Sequence, residues 1–323
     1  MKKQPLVCIV IVNWNGGKIV IDCLTSLFKK TSYSNYKVVL VDNGSSDGSL
    51  EEIEKKFKKV KIIKNKENLG FTKATNLGWA YCFKNYNLDY ICDMNNDIVT
   101  VQSDWLDLMV NTLESNENYG ICANKLVDYE GRLQSLFFSE EYPERKEWFN
   151  ERHSKDLGQY DKVIEVDAVP GGNMLIKRSV IEKVGALDEN FFYGPDDIDY
   201  CIRTREKGFK IIFNGLSKSI HYGSFSYLSS QSVLIYNHQI YGQMLFAFRH
   251  GTIKEKIIMP IRQLLRAFIT RKNILRPFGI YNFILQDKFF YRLLVFPKSF
   301  FLAISNYKKV KNSYFKLNKN DKK

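Results

Sequence analysis

The sequence predicts an α/β protein with a mostly parallel sheet covered by helices on both faces. Short apolar segments rich in β-branched residues alternate with helical patterns through the first half of the chain. This alternation and spacing are typical of parallel strands joined by helical crossovers. The 323 residues, 45% hydrophobic and 26% charged, have the composition of a globular chain. Such a chain is long enough for one large domain and an appendage.

The predicted elements follow one another in a regular order. The strands are expected at Leu6–Val12, Lys37–Val41, Val60–Ile63, Tyr90–Met94 and Ile121–Ala123. The helices are expected at Lys18–Lys30, Ser49–Phe57, Lys73–Phe83 and Trp105–Leu113, with further ones at Arg178–Val184 and Asp196–Gly208. Between Ser139 and Gln159 the sequence is charged and aromatic without a clear period. That stretch indicates a long loop.

Polar clusters follow four of the predicted strands. They lie at Asn13–Asn15, Asp42–Ser45, Asn65–Asn68 and Asn95–Asp97. In parallel sheets ligands bind beyond the carboxyl ends of the strands, where successive loops meet. The pattern therefore predicts that four loops converge on one edge of the sheet and form a ligand site there.

The cysteines and the N-terminus indicate a reducing compartment. None of the six cysteines forms a C-x-x-C pair, and several lie within apolar segments. This is typical of reduced core residues.

The apolar segment Val7–Val12 is short for a signal peptide and is better explained as a buried strand. No stretch reaches the roughly 18 apolar residues of a spanning helix. We therefore expect a cytoplasmic protein.

The positive charge of the chain is confined to its C-terminal part. Residues 1–230 contain 30 Lys and Arg against 32 Asp and Glu, whereas residues 231–323 contain 18 against 3. Three helices expected at Ile240–Arg249, Ile257–Thr270 and Phe289–Ile304 combine these cations with aromatic and aliphatic residues. Basic amphipathic helices can lie in the headgroup plane of anionic membranes. We therefore predict a first domain at 1–230 and a helical region at 231–323 that contacts a membrane surface.

The basic region at 231–323 has alternatives to a membrane surface as its partner. Its apolar stripes could instead pack on the first domain or form a homodimer interface. No recognised RNA- or DNA-binding motif accompanies the charge, so nucleic acid is not an expected partner.

Two common nucleotide-binding motifs are missing from the sequence. There is no G-x-x-x-x-G-K-[ST], which excludes a P-loop. The first predicted strand is followed by Asn15-Gly16-Gly17-Lys18 instead of the G-x-G-x-x-G of a dinucleotide fold. A hydride-transfer enzyme is therefore disfavoured.

A series of short motifs between Leu6 and Ser226 indicates another class. They are Ile11-Val12-Asn13-Trp14-Asn15-Gly16, Val41-Asp42-Asn43-Gly44-Ser45-Ser46-Asp47, Asn68-Leu69-Gly70-Phe71, Met94-Asn95-Asn96-Asp97, Gly171-Gly172-Asn173-Met174, Gly185-Ala186-Leu187-Asp188, Phe191-Phe192-Tyr193, Asp196-Asp197-Ile198-Asp199-Tyr200, and His221 with Ser226. In this order they resemble family 2 of the inverting glycosyltransferases. The resemblance implies a GT-A fold and transfer from a UDP- or dTDP-sugar to a saccharide or polyprenyl-linked acceptor. It also implies a role in cell-surface polysaccharide synthesis, on the inner face of the cell membrane.

The resemblance assigns the donor site to the strand-end motifs. Asp42 matches the residue whose carboxylate accepts the imide N–H of the donor's base, although Asp-Asn-Gly-Ser is also good turn chemistry. Further positions in these motifs could contact the donor or fix the loops around it. They are Asn13, Asn15, Asn43, Ser45, Asn68, Gly70, Asn76, Asn95 and Gly172.

The metal site is expected at Asn95-Asn96-Asp97, which occupies the position of the family's D-x-D motif. Mg²⁺ and Mn²⁺ prefer carboxylate oxygens and stabilise the charge of a departing diphosphate. Asp97 is the implied ligand, and His221 matches a second. Asn95 replaces the first acid of the motif, so the resemblance leaves open how tightly metal binds before the donor.

The catalytic base is expected at Asp197, the second member of the family's acidic pair. A carboxylate within hydrogen-bond reach can remove the proton of an acceptor hydroxyl as the hydroxyl attacks. Asp196 lies beside Asp197, and Asp199 and Arg203 are four residues apart and can pair on one helix face; these three are expected to support the site. The alternative function is a non-catalytic protein that binds a nucleotide or saccharide and partners an enzyme at the membrane.

Overall fold

The computed structural model describes residues 4–134, 154–192, 194–223, 232–268 and 289–311, with backbone alone at 232–237, 265–268 and 289–295. Most of the predicted loop Ser139–Gln159, together with Tyr193 and Ser226 of the motifs, lies outside these residues. The chain forms two compact units. The first contains Met1–Asp188 and Asp196–Ser226, and the second contains Glu189–Pro195 and Tyr227–Lys311.

The described part of the first unit contains nine strands and six helices. The strands are β1 Val7–Asn13, β2 Tyr36–Asp42, β3 Val60–Lys64, β4 Tyr90–Asn95, β5 Ile98–Thr100, β6 Tyr119–Val127, β7 Val163–Val166, β8 Asn173–Lys177 and β9 Lys210–His221. The helices are α1 Gly17–Lys30, α2 Ser49–Lys56, α3 Phe71–Asn85, α4 Trp105–Glu114, α5 Arg178–Val184 and α6 Asp196–Glu206. The predicted strands and helices are all present, most within two residues of their expected ends.

The strands form one mixed sheet in the order β3-β2-β1-β4-β8-β6-β9-β5, with β7 also paired to β9. Strands β1 to β4 are parallel, as are β6 and β9. Strand β8 runs antiparallel between β4 and β6, and β5 and β7 run antiparallel to β9. The predicted α/β class with a mostly parallel sheet is confirmed.

Helices cover both faces of the sheet, as the alternation predicts. On one face Trp79 of α3, Ile181 of α5 and Tyr200 of α6 pack in a buried cluster with strand residues. On the other face Leu24 of α1 and Trp105 of α4 do the same. All six cysteines are free and buried, which confirms the expectation of reduced core residues.

Asp93 is a buried acid in the middle of β4, on the face covered by α3. Its Oδ1 accepts a hydrogen bond of 2.7 Å from the indole Nε1 of Trp79, which packs edge-on against Tyr200. Burial raises the pKa of the Asp93 carboxyl to about 7, and the Trp79 hydrogen bond offsets only part of that effect. Asp93 therefore changes charge near neutral pH inside the core.

We expect the Asp93 carboxyl to make the fold less stable as pH rises. Because its pKa is raised in the folded state, the stability it contributes is present below about pH 4 and is lost as pH rises through about 7. Relative to Asp93→Asn, the wild type should lose at most about 4 kcal/mol between pH 4 and pH 8. Urea unfolding of both proteins across this range measures the difference. The exposed Asp104→Asn is the control and should follow the wild type.

A buried ion cluster fixes the segment that follows residue 153. Lys125 of β6 is 1% exposed, and its Nζ lies 2.8 Å from Asp156 Oδ1 and also contacts Asp161. Lys218 of β9 contacts the other oxygen of Asp156 at 3.2 Å. Burial opposes ionisation of Asp156, but the bonds from both lysines outweigh it and lower its pKa. The cluster ties this segment to the two neighbouring strands.

The described part of the second unit contains three helices, α7 Ser232–His250, α8 Ile253–Phe268 and α9 Phe289–Asn306. Their shared core contains Ile240, Met244, Leu245 and Ala303, with Phe191 from the preceding segment. The first two helices begin earlier than the sequence pattern predicts, and Pro260 and Pro297 lie within α8 and α9. None of the helices that the structure describes is long and apolar enough to cross a membrane.

The outer face of α8 exposes a row of isoleucines. Ile253, Ile257 and Ile261 are spaced by four residues and therefore lie on one helix face. Their side chains are 80%, 60% and 52% exposed. Phe301 of α9 is also largely exposed. The second unit thus presents large apolar side chains to solvent.

Candidate functional site

Three loops at the carboxyl ends of the strands, those after β1, β2 and β4, meet around the side chain of Asn13. Its Nδ2 lies 3.1 Å from Asp42 Oδ1, 3.2 Å from Ser45 Oγ and 3.1 Å from Ser49 Oγ. Its Oδ1 accepts a bond of 3.2 Å from Asn96 Nδ2. The ends of β1, β2 and β4 are therefore joined through one buried amide, as the sequence pattern predicts.

A glycine makes this meeting of loops sterically feasible. A Cβ on Gly16, which precedes α1, would lie 2.4 Å from Asn13 Oδ1 and 2.8 Å from Asn96 Nδ2. Only a residue without a side chain fits between the two amides. The motif glycine is thus required by the packing of the loops.

The loop after β1 is also bound to the loop after β2. Asn15 adopts φ 50°, in the left-handed region that asparagine tolerates better than most residues. Its N–H donates to Ser45 Oγ at 3.0 Å, and its Oδ1 accepts from the Ser46 N–H at 2.8 Å. Asp47 Oδ2 accepts from the N–H of Gly17 at 2.7 Å. Burial opposes ionisation of Asp47, but the bonds from Ser49 and Gly17 prevail and lower its pKa.

Asn43 connects the loop after β2 to the loop before α3. Its Nδ2 donates to Asn68 Oδ1 at 2.9 Å and to the Gly70 carbonyl at 3.2 Å. Its Oδ1 accepts from Asn65 Nδ2 and from the Leu69 N–H, at 3.1 and 3.0 Å. The whole amide is used in fixing this loop.

The predicted donor contacts in these loops are more buried than expected. Asp42 is 2% exposed, and its two carboxylate oxygens accept from Asn13 Nδ2 and the Ser45 N–H. Asn13 has no exposed surface. Of the two roles that the sequence left open for Asn13, Asn15 and Asn68, the contacts favour loop fixing. Contact of Asp42 with the donor's base stays a prediction.

Asn76 binds the protein's own backbone. Its Nδ2 donates to the Leu187 carbonyl at 2.9 Å, and its Oδ1 accepts from the Leu187 N–H at 3.1 Å. The side chain is fully buried. Asn76 therefore holds the loop after α5 against α3, and of its two predicted roles these contacts favour loop fixing.

The two halves of the site are joined by Gly171 and Gly172. The Gly172 carbonyl accepts from the N–H of Asn95 at 2.9 Å, two residues before Asp97. The N–H of Gly171 donates to Asp197 Oδ2 at 2.8 Å. A Cβ on Gly171 would lie 3.1 Å from the Cβ of Asp197, a tight approach. The sequence-predicted base and the loop predicted to bind a metal are thus brought to the same place.

Asp197 lies in the first turn of α6 and is partly buried. Its Oδ1 accepts from the N–H of Ile198 at 2.8 Å, which fixes the carboxylate together with the Gly171 bond. Burial raises the pKa of Asp197, and these backbone hydrogen bonds counteract only part of the rise. A carboxylate with a raised pKa is a stronger base than an exposed one.

The other charged residues of α6 differ in their surroundings. Arg203 Nε donates to Asp199 Oδ2 at 2.8 Å, and the same guanidinium reaches the Ala186 carbonyl at 3.1 Å. The predicted pair along one helix face is present, and it fixes the loop after α5. Asp196 is 7% exposed at the start of the helix, where a carboxylate interacts favourably with the helix dipole.

Asp97, just after β4, and His221, at the end of β9, have adjacent side chains. Asp97 Oδ1 lies 3.2 Å from His221 Nε2, and the N–H of Tyr222 donates to the Asp97 carbonyl at 3.0 Å. The other ring nitrogen, His221 Nδ1, lies 2.5 Å from Gln134 Oε1. Gln134 Nε2 in turn donates to the His221 carbonyl at 2.8 Å. Gln134 carries no sequence motif and was not predicted as a site residue.

The Asp97–His221 pair fits a divalent cation. Neighbouring ligands of an octahedral cation at about 2.1 Å from it lie about 3 Å apart, close to the observed spacing. An oxygen and an imidazole nitrogen are both donors that Mn²⁺ accepts. No third His, Cys, Asp or Glu completes a metal-binding cluster among the residues that the structure describes.

Comparison with known proteins decides which family has this arrangement. The model of glycosyl transferase family 2 matches residues 8–185, more than half of the chain. The chain belongs to glycosyltransferase family 2. The matched stretch contains the loops after β1, β2, β3 and β4. It ends before Asp197 and His221 of this chain.

Curated relatives agree with this family. A Haemophilus influenzae protein described as an uncharacterized glycosyltransferase is 33% identical over 121 residues, 36% of each chain. The low-salt glycan biosynthesis hexosyltransferase Agl10 of Haloferax volcanii is 25% identical over 204 residues, 63% of this chain and 62% of the relative. The family 2 chain thus spans less than two thirds of these relatives' lengths.

Solved structures show that the family 2 chain has the GT-A fold. Mannosyltransferase PcManGT from Pyrobaculum calidifontis, in complex with GDP-Man and Mn²⁺, aligns with a TM-score of 0.53 at 14% identity. The alignment covers 94% of the family 2 chain and 76% of PcManGT. GalNAc-T7 with UDP, GalNAc and Mn²⁺ aligns with a TM-score of 0.52 at 18% identity, covering 68% and 44%. The GT-A fold that the motifs imply is therefore confirmed.

Proposed function

We propose that the chain is an inverting glycosyltransferase. It would move a hexosyl or deoxyhexosyl group from a UDP- or dTDP-sugar to a saccharide or polyprenyl-linked saccharide in cell-surface polysaccharide synthesis. The observation that carries the proposal is the Gly171–Gly172 link. It holds the Asp197 carboxylate beside the loop that bears Asp97. The name of one further relative, an O-antigen biosynthesis protein of Myxococcus xanthus, supports the choice of acceptor.

The proposed reaction is a single displacement at the anomeric carbon. Asp197 takes the proton of the acceptor hydroxyl while its oxygen bonds to that carbon. The bond from the carbon to the diphosphate oxygen breaks on the opposite face, so the nucleoside diphosphate leaves and the configuration inverts. Gly171 and Ile198 hold the carboxylate of Asp197 in one orientation for this step.

Asp97 and His221 are the residues that would hold Mg²⁺ or Mn²⁺. The cation, when bound, would neutralise charge on the diphosphate. The Mn²⁺ in the two solved GT-A neighbours supports a divalent cation, and their different nucleotides leave the choice of base to experiment.

Thermal unfolding with UDP, dTDP and GDP, each with and without Mn²⁺, tests the donor site. At a hundredfold excess over Kd a nucleotide adds about 2.7 kcal/mol of stability. This corresponds to a rise in Tm of roughly 5 to 10 °C for a unit of this size. We expect a Mn²⁺-dependent rise with UDP or dTDP and none with NAD, the control nucleotide. A rise in Tm with NAD and with none of the other nucleotides would contradict the proposal. The absence of a rise with every nucleotide would also contradict it.

The second candidate function is a non-catalytic nucleotide- or saccharide-binding protein that partners an enzyme at the membrane. Asn95, in place of the first acid of the metal motif, favours it. Nucleotide binding without transfer to any saccharide acceptor would support this function over the first.

We also propose that the chain works on the cytoplasmic face of the cell membrane, with residues 231–323 in contact with lipid. Support comes from the exposed isoleucines of α8, which are accompanied on the helix by the exposed Lys254 and Arg262. An exposed apolar row with adjacent cations suits an anionic lipid surface. A second copy of the chain is a poorer occupant, because two strongly basic surfaces repel each other.

Replacing two isoleucines of this row should weaken membrane binding. We expect Ile257→Glu with Ile261→Glu to lower affinity for phosphatidylglycerol vesicles by roughly tenfold or more, since apolar contact is lost and negative charge is added. Vesicle co-sedimentation measures the change. The control is Val101→Glu with Leu157→Glu, the same charge change at exposed positions of the first unit. Equal vesicle binding by the two double variants would contradict the proposed membrane contact. A lower molar mass of the isoleucine variant in solution, without a change in vesicle binding, would indicate a homodimer surface.

A further inference from the structure

Gln134 binds His221 at both ends of its side-chain amide. Its Nε2 lies 2.8 Å from the His221 carbonyl oxygen, and its Oε1 lies 2.5 Å from His221 Nδ1. A carbonyl oxygen can only accept, so the Gln134 nitrogen must be the group that faces it. The reversed amide would direct two acceptors at each other. The orientation of the Gln134 amide is therefore fixed by the backbone of the residue it contacts.

This orientation determines the state of the imidazole. Because Gln134 Oε1 can only accept, His221 Nδ1 must carry a proton and donate it. In the neutral ring the other nitrogen, Nε2, then has a free lone pair. That lone pair is directed at Asp97 Oδ1, 3.2 Å away, which is also an acceptor. In the doubly protonated ring an Nε2–H donates to Asp97, and a bound divalent cation would take the place of that proton between the two atoms.

A tight turn holds Gln134 in this position. Asp128, just after β6, accepts from the N–H groups of Glu130 and Arg132 at 2.9 and 2.8 Å and pairs with the Arg132 side chain at 2.7 Å. The chain then runs back along β6, where the Gln134 N–H donates to the Leu126 carbonyl at 3.0 Å. Backbone hydrogen bonds on both sides of the turn therefore define where Gln134 lies.

We propose that Gln134 is a positioning residue for the metal site. It selects the Nδ1–H tautomer of His221 and directs the lone pair of Nε2 to the cation held with Asp97. The inference rests on the proposed metal-binding role of Asp97 and His221. Second partners of this kind orient metal-binding histidines and change metal affinity by about 10- to 100-fold when lost.

The test compares two substitutions of Gln134 with a matched control. Gln134→Met keeps the length of the side chain and removes its acceptor, whereas Gln134→Glu keeps an acceptor for Nδ1. Gln159→Met makes the same chemical change at a glutamine whose amide bonds the backbone of Lys155 and Leu157. Mn²⁺ binding is followed by electron paramagnetic resonance of free Mn²⁺ in the presence of UDP, and again with dTDP. The tautomer of His221 is read from the ¹⁵N shifts of its ring without metal, assigned with His221→Ala.

We expect Gln134→Met to weaken Mn²⁺ binding by about 10- to 100-fold and to abolish the preference for the Nδ1–H tautomer. Gln134→Glu should keep the tautomer, because an acceptor for Nδ1 remains, and Gln159→Met should change neither readout. Unchanged Mn²⁺ affinity in Gln134→Met, with weakened binding in His221→Ala, would overturn the role of Gln134 alone. Unchanged affinity in His221→Ala would overturn the metal site itself, and the role of Gln134 with it.

Discussion

Asp197→Asn is expected to lower the rate of glycosyl transfer by about a thousandfold, within the range that positioned general bases contribute. The amide keeps an oxygen that can accept from the Gly171 N–H, so the loop it holds should stay in place. It cannot take a proton from a hydroxyl. Stabilisation by nucleotide and Mn²⁺ should remain close to that of the wild type, because the role we propose for Asp197 is proton removal and not binding of the diphosphate.

The pH dependence of the wild type provides a second readout for Asp197. Its carboxylate must be ionised to act as a base, and burial raises its pKa. Activity should therefore fall as pH is lowered, beginning above the ordinary range of an aspartate. The control is Asp167→Asn, which neutralises an acid that pairs with Arg205 of α6 at 2.6 Å. A rate in Asp197→Asn equal to that of the control would remove Asp197 from its role.

Lys125→Met should give the largest loss of stability. The substitution removes the ammonium from a buried cluster and leaves Asp156, 5% exposed at its side chain, with only the outer lysine. Removing one partner of a buried ion pair costs about 3–5 kcal/mol because the other charge remains desolvated. We expect Tm to fall by roughly 6 to 20 °C for a unit of this size, and the urea midpoint to fall with it.

Lys218→Met is the matched control for this loss. It removes a cation from the same carboxylate, but the Lys218 side chain is 43% exposed, so its removal should cost less than about 1 kcal/mol. Joint replacement, Lys125→Met with Asp156→Leu, should recover much of the lost stability, since no unpaired charge remains at Asp156. A single Lys125→Met variant as stable as Lys218→Met would show that the cluster does not fix the fold.

The sequence alone was sufficient to predict the strands and helices that are defined by a local pattern of apolar residues. Strands β1, β2 and β4 are continuous apolar segments because both faces of the sheet are covered, and their predicted ends are within a residue of those observed. The convergence of the strand-end loops also follows from local patterns, since parallel strands place their carboxyl ends together. These are the features that single-sequence reasoning can reach.

Strand β9 was not predicted because its buried positions are partly polar. Asn214, Ser217 and Ser219 are buried within it and break the apolar pattern. Each finds a hydrogen-bond partner far along the chain. Asn214 Nδ2, for example, donates to Thr112 Oγ1 at 2.8 Å. A buried polar residue with a distant partner looks like a loop residue in the sequence.

Gln134 was not found for a related reason. Its contact with His221 joins residues 87 positions apart, and the residues around it have no helical or strand period. The burial of Asp42 and Asn13 likewise depends on how the loops pack together, which composition does not specify. The motifs were sufficient to predict which strand-end loops come together, whereas the residues that hold the motifs in place required the tertiary structure.

The position of β8 has a consequence for synthesis on the ribosome. Strand β8 lies between β4 and β6, although both neighbours are made before it. Roughly 80 residues separate β4 from β8, so at about 5–20 residues per second the inner edge of β4 stays unpaired for on the order of 4 to 16 s. An unpaired apolar edge can recruit another chain. Nascent chains that stall before Asn173 should therefore aggregate more readily than chains in which Lys177 has left the ribosome, because β4 and β6 are joined only when β8 enters between them.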